Sequence, residues 1–151
     1  MSGGIRFQRG NIVVADMDRA LEIYRDILGL TVEYTKESEP TSYSYPVFEI
    51  PHEAKLRFAT LNAGPGQRRV LALTEITGVK LGALPLPRPC ALVFEVPDMD
   101  SVLDGLRARD DVRVYDEETL RTQDGRVGRE IGFVDPDGHL IVLYNISSVA
   151  P

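Results

Sequence analysis

Three side chains in this 151-residue chain are of the types that most readily hold metals or attack substrates: His52, His139 and Cys90. A neutral imidazole ligates cations and moves protons, and a thiolate is a strong nucleophile, but each needs partners within reach. His52 stands in the loop-like stretch Pro51-His52-Glu53, and His139 directly follows a hairpin glycine, so both read as surface residues. Cys90 has no histidine near it in sequence and reads as a small buried residue rather than a nucleophile. Asp135 and Asp137 look like a pair for general acid–base chemistry. Asp135-Pro136-Asp137-Gly138 is, however, the composition of a type I turn, which accounts for both. The sequence contains no HExxH, CxxC or Walker-type phosphate loop.

The elements that must position any site come as a repeat. Ala15-Asp16-Met17-Asp18 closes an apolar run and opens a helical pattern, and Pro97-Asp98-Met99-Asp100 does the same later in the chain. Phe7 to Val14 reads as a strand, Asp16 as an N-cap, and Ala20, Leu21, Tyr24, Ile27 and Leu28 as one helical face ended by Gly29. Strands are expected over 30–34, 56–61 and 69–76, with 37–53 as a lid or a loop tucked onto the core. Pro85, Pro87 and Pro89 mark 78–89 as a connector. The pattern then restarts with a strand over 90–96 and an Asp98-capped helix burying Val102, Leu103 and Leu106. Strands over 112–115, 127–134 and 140–146 follow, with 121–126 as a polar turn. The expected fold is α+β, two tandem β-α-β-β-β modules in one domain over 1–151, module one about 5–77 and module two about 90–146.

Composition narrows the partners. A formal charge of −6 without a basic block argues against nucleic acid, whose binding rests on Lys and Arg neutralising phosphates. No apolar run approaches a membrane span, and the N-terminus has no apolar signal core. The single cysteine excludes an internal disulfide framework and fits a reducing compartment, so the cytoplasm is the expected location.

Two stretches resemble the vicinal oxygen chelate superfamily, which includes glyoxalase I, extradiol dioxygenases and bleomycin-resistance proteins. Residues 14–30, from Val14-Ala15-Asp16-Met17-Asp18 to Leu28-Gly29-Leu30, look like its strand-helix signature, and Asp135-Pro136-Asp137-Gly138-His139 like its terminal hairpin. The resemblance spans 7–146. It implies curved mixed sheets forming a cup, often in a homodimer, with a divalent metal held by the first and last strands of each module. Counted from Asp16, Asp98 and Gly138, and by matching Leu71-Ala72-Leu73 to Ile141-Val142-Leu143, those ligand positions fall on Arg9, Ala72, Ala91 and Val142. Arginine stays protonated and the other three have no donor atom. No cofactor is therefore expected. A divalent metal would need displaced ligands such as Cys90 or Glu75, and Glu75 reads as a surface or strand-end carboxylate.

Alternation from the four positions gives the polar points of the face they share: Arg9, Asn11, Thr74, Glu95 and Tyr144. Arg9 and Glu95 could pair with each other or with Arg129, filling the space of a metal. Otherwise Arg9 could receive a carboxylate or phosphate through its planar fork. The favoured function is metal-free binding, sequestration or sensing of a small, partly apolar ligand in the manner of bleomycin-resistance proteins. The alternative is a lyase, isomerase or dioxygenase, metal-dependent through displaced ligands or metal-free with Glu95 as base. Sequence leaves open whether the chain is an enzyme.

Overall fold

The computed structural model of the protein describes residues 3–148. The chain divides between Leu81 and Gly82 into two compact units. In the first, β1 (Gly10–Val14) leads into helix α1 (Met17–Leu21), which continues as a π-helical turn over Glu22–Ile27. The Asp16 side chain accepts the Arg19 N–H at 3.0 Å, a cap of the kind typically worth about 1 kcal/mol. Gly29 ends the helix at φ 85°, where a side chain would be strained. Strands β2 (Thr31–Glu37), β3 (Lys55–Asn62) and β4 (Leu71–Thr77) complete a four-stranded sheet in the order β1-β4-β3-β2. Only the β1–β4 pair is parallel.

Strand β1 begins three residues later than its apolar pattern suggests, and Phe7 is exposed. The reason lies in its partner. Gly10 N–H still reaches the Val70 carbonyl, but Arg69 turns the chain away with φ 55°, leaving nothing for earlier residues to pair with. The segment between β2 and β3 is tucked onto the core rather than free. It contains a short helix α2 (Ser44–Val47), and its Tyr45 and Ile50 cluster with Ala54, Leu56 and Ile76 against Val13, Phe48, Val79 and Leu81. The Tyr45 hydroxyl donates to the Ala54 carbonyl at 2.8 Å.

The second unit repeats the plan. Strand β5 (Ala91–Glu95) precedes helix α3 (Met99–Arg107), capped by Asp98 and burying Met99, Val102, Leu103 and Leu106 along one face packed on the sheet. Strands β6 (Arg113–Val114), β7 (Glu118–Arg121), β8 (Val127–Val134) and β9 (Leu140–Ser148) follow, in the order β5-β9-β8-β6 with β7 also on β8. Strand β7 was not legible, because Glu118–Arg121 carries little apolar pattern and is held by pairing with Val127–Glu130. At the β8–β9 pair, the backbones approach so closely that a Cβ on Gly128 would lie 2.0 Å from the Asn145 carbonyl oxygen. Among the described residues, no helix is long and apolar enough to cross a membrane.

Candidate functional site

In the first unit, strand register sets Tyr34, Thr60, Ala72 and Asn11 in one row, and Phe58, Thr74 and Val13 beside it on the same face. The Thr74 hydroxyl donates to Asn11 Oδ1 at 2.9 Å, so these two expected site residues are brought together. Asn11 is exposed, yet Ala72 and Thr74 are fully buried. Thr60 belongs to the same row and was missed. Its buried hydroxyl has no partner among the described residues, and carrying the alternation from Ala72 onto β3 would have found it. Arg9 precedes β1, is half-buried, and makes no hydrogen bond or ion pair among the described residues.

In the second unit, Ala91 stands opposite Leu140, Val93 opposite Val142 and Glu95 opposite Tyr144. The Tyr144 hydroxyl donates to Glu95 at 3.4 Å. This face is open: Val93 is 61% exposed, Ala91 and Glu95 are exposed, and Val142 and Tyr144 are half-buried. It offers a small apolar surface with one carboxylate and one phenol. Arg129 pairs neither with Arg9 nor with Glu95, as its guanidinium bonds Asp100 at 2.8 Å and Glu117 at 2.6 Å. That contact holds the Glu117 carboxyl below its ordinary range and raises Arg129 further.

The groups that would restore a metal site by displacement stand apart from one another. Glu75 shares the helix-facing side with Leu73 rather than the side of Ala72. It is not a free strand-end carboxylate: Oε2 accepts the Met17 N–H at 2.5 Å and Arg57 Nη2 at 3.2 Å, with the side chain 13% exposed. Cys90 is exposed rather than buried, because it precedes the first paired residue of edge strand β5. His139 is half-buried rather than exposed, since its N–H and that of Asp137 both bond Asp135 Oδ1 across the turn. That turn also buries Asp135. His52 is exposed and stacks on Tyr45 with ring centroids 5.3 Å apart. Among the described residues, no three His, Cys, Asp or Glu side chains gather as metal ligands would. One guanidinium, two alanines and a valine do not fit a divalent cation.

Two mixed sheets, each with a helix after its first strand and a parallel first–last strand pair, define a paired-module α+β fold. The chain matches the Glyoxalase/Bleomycin resistance protein/Dioxygenase superfamily over residues 6–143 and belongs to it. Among solved structures, a glyoxalase family protein from Bacillus cereus is similar with a TM-score of 0.75 at 18% identity, covering 97% of each chain. Glyoxalase I of Leishmania major, described as trypanothione-dependent, gives 0.63 at 25% identity over 94% of this chain and 87% of its own. A fosfomycin resistance protein of Listeria monocytogenes, complexed with Mn(II) and sulfate, gives 0.57 at 16% identity, covering 97% of this chain and 95% of its own. No curated protein matches the chain.

Proposed function

We propose that this protein binds a small, partly apolar molecule without a metal, as a sequestering or sensing member of its superfamily. The observation that carries the reading is the residue set at the four expected ligand positions: Arg9, Ala72, Ala91 and Val142 provide no metal donor. The Listeria relative is complexed with Mn(II). Here the corresponding chemistry is replaced by apolar surface with isolated polar contacts. On the second unit those contacts are Glu95 and Tyr144, beside the exposed Val93. On the first, among the described residues, Arg9 has an uncommitted guanidinium, and Asn11 keeps its amide donors while its oxygen accepts from Thr74. A planar guanidinium suits a ligand carboxylate or phosphate, and the open apolar patch suits the ligand's hydrocarbon part. A homodimer in the cytoplasm is part of the same reading, supported by the family resemblance and the single cysteine.

The test is a thermal-shift screen of metals and small metabolites, followed by calorimetry on the hits, because a molecule that binds only the folded state raises apparent stability. Binding that is unaffected by chelator, and weakened about tenfold by Arg9→Ala for an anionic hit, agrees with the proposal. Stoichiometric transition metal in the purified protein, lost on removing the side chain of Cys90, His52 or Glu75, overturns it. Turnover of a hit that disappears in Glu95→Gln replaces binding with catalysis.

A further inference from the structure

The first unit has a second open feature, a groove of about 680 Å³ whose lining includes Glu37, Tyr45, His52, Glu53, Lys55 and Arg57. Register explains why charges gather there. Glu37 lies opposite Arg57 and Arg57 opposite Glu75, so a row of alternating sign crosses β2, β3 and β4, and Lys55 stands two residues from Arg57 on the same face. The strand face carrying these charges is the one opposite Ala72 and Thr74, so the groove includes none of Arg9, Asn11, Ala72, Thr74, Glu95 and Tyr144.

The charges divide into spent and unspent groups. Glu75 is spent on Met17 N–H and on Arg57 Nη2, which also reaches Asp18 at 3.5 Å. Arg57 is engaged through Nη2 alone, and its buried Nε has no partner among the described residues. The side chains of Lys55, Glu37 and Glu53 make no hydrogen bond or ion pair among the described residues. Beside the Arg57–Glu75 pair, the groove keeps unspent charges of both signs, Lys55 against Glu37 and Glu53, and so favours a ligand that carries both. Lys55 and Arg57, roughly 7 Å apart as same-face neighbours on one strand, suit a carboxylate lying between them. Glu37, opposite Arg57, and Glu53, two residues before Lys55, stand at the two ends of that pair, and either suits an ammonium. A dicarboxylate would meet the two glutamates, and a polyamine would meet Lys55 and Arg57. Tyr45 is buried and its hydroxyl is spent on Ala54, so it is the exposed His52 stacked on it that offers ring surface to an apolar side chain.

We propose that this groove binds the zwitterionic head of a free α-amino acid, with the carboxylate on Lys55 and Arg57 and the ammonium on Glu37 or Glu53. The test is calorimetry on the full chain with L-phenylalanine, N-acetyl-phenylalanine and phenylalanine amide. L-Phenylalanine binds, and each blocked derivative binds about tenfold more weakly, the factor expected from one lost charge-assisted contact. Lys55→Met and the double variant Glu37→Gln/Glu53→Gln each weaken L-phenylalanine by a similar factor. These side chains are exposed, and unchanged circular dichroism confirms folding. No binding at millimolar concentration, equal affinity for the blocked derivatives, or unchanged affinity in Lys55→Met overturns the proposal. Glu95→Gln leaves L-phenylalanine binding intact, so this site and the open face of the second unit stand or fall separately.

Discussion

The two units share a plan and differ in what covers the face where the superfamily's chemistry would sit. On the last strand of each, Ala72 and Thr74 are buried in the first unit, whereas Val142 and Tyr144 are half-buried in the second. The units also differ in one connection. Between β2 and β3 the chain makes a long excursion whose Tyr45 and Ile50 pack with Leu56 and Ile76, whereas β7 and β8 are joined by a tight turn in which Thr122 and Arg126 pair through their backbones. The loop makes core of the Leu56 and Ile76 end of the strand face. The same loop also walls the charged groove, so one insertion covers part of one surface and builds part of another.

Excising that loop tests the comparison most severely. Replacing residues 39–52 with a short turn uncovers Leu56 and Ile76 and removes Tyr45 and Ile50. The expected loss is on the order of 5 kcal/mol, at about 1.5–3 kcal/mol per large apolar side chain, read from urea unfolding. An unchanged midpoint would mean the loop is ornament. Next comes a matched pair of truncations. Ile76→Ala on the covered face costs about 2–5 kcal/mol, while Val93→Ala on the open face stays within about 0.5 kcal/mol. Equal costs would erase the distinction between the units. Smaller still is Tyr144→Phe, which removes a long, exposed hydrogen bond to Glu95 and leaves stability within about 0.5 kcal/mol. Its effect should appear in ligand affinity instead.

The smallest effect is acid sensitivity of the second unit's ion pairs. Arg129 lowers the folded-state pKa of Glu117 relative to the unfolded chain. Stability from this pair is therefore present above the ordinary carboxylate range and fades as pH falls through the lowered folded value. Both partners are solvent-screened, so the change is slight. In Arg129→Met, the unfolding midpoint should lose that part of its pH dependence; an unchanged profile would remove the pair from the account.

Much of the fold was legible because it rests on local signals. Asp16 and Asp98 cap helices, Gly29 ends one, and β8 spans the residues its apolar pattern marks. What escaped depends on distant partners. Strand β7 exists through its pairing with β8, β1 is shortened by the bend at Arg69, and Cys90 is exposed because β5 lies at a sheet edge. The candidate site was legible as a set of faces, but not as burial. Alternation places Thr74 and Tyr144 on their strand faces; it cannot say that the first is buried and the second half-open. Thr60 was missed because the alternation was not carried across to β3, and the role of Glu75 because its partners, Met17 and Arg57, lie far from it in sequence.

Gly128 has a consequence that reaches beyond its own strand. With the Asn145 carbonyl where a Cβ would be, the β8–β9 ladder can close there only over a hydrogen atom, while the Asn145 amide holds the Val96 carbonyl at 2.6 Å. The strand is pinned on both sides at one residue. A shift of one position in a ladder exchanges its two faces, so this pin decides that Tyr144 and Val142, rather than Leu143 and Ile141, look outward. A backbone position that touches no ligand thus acts as the selector of what a ligand can meet.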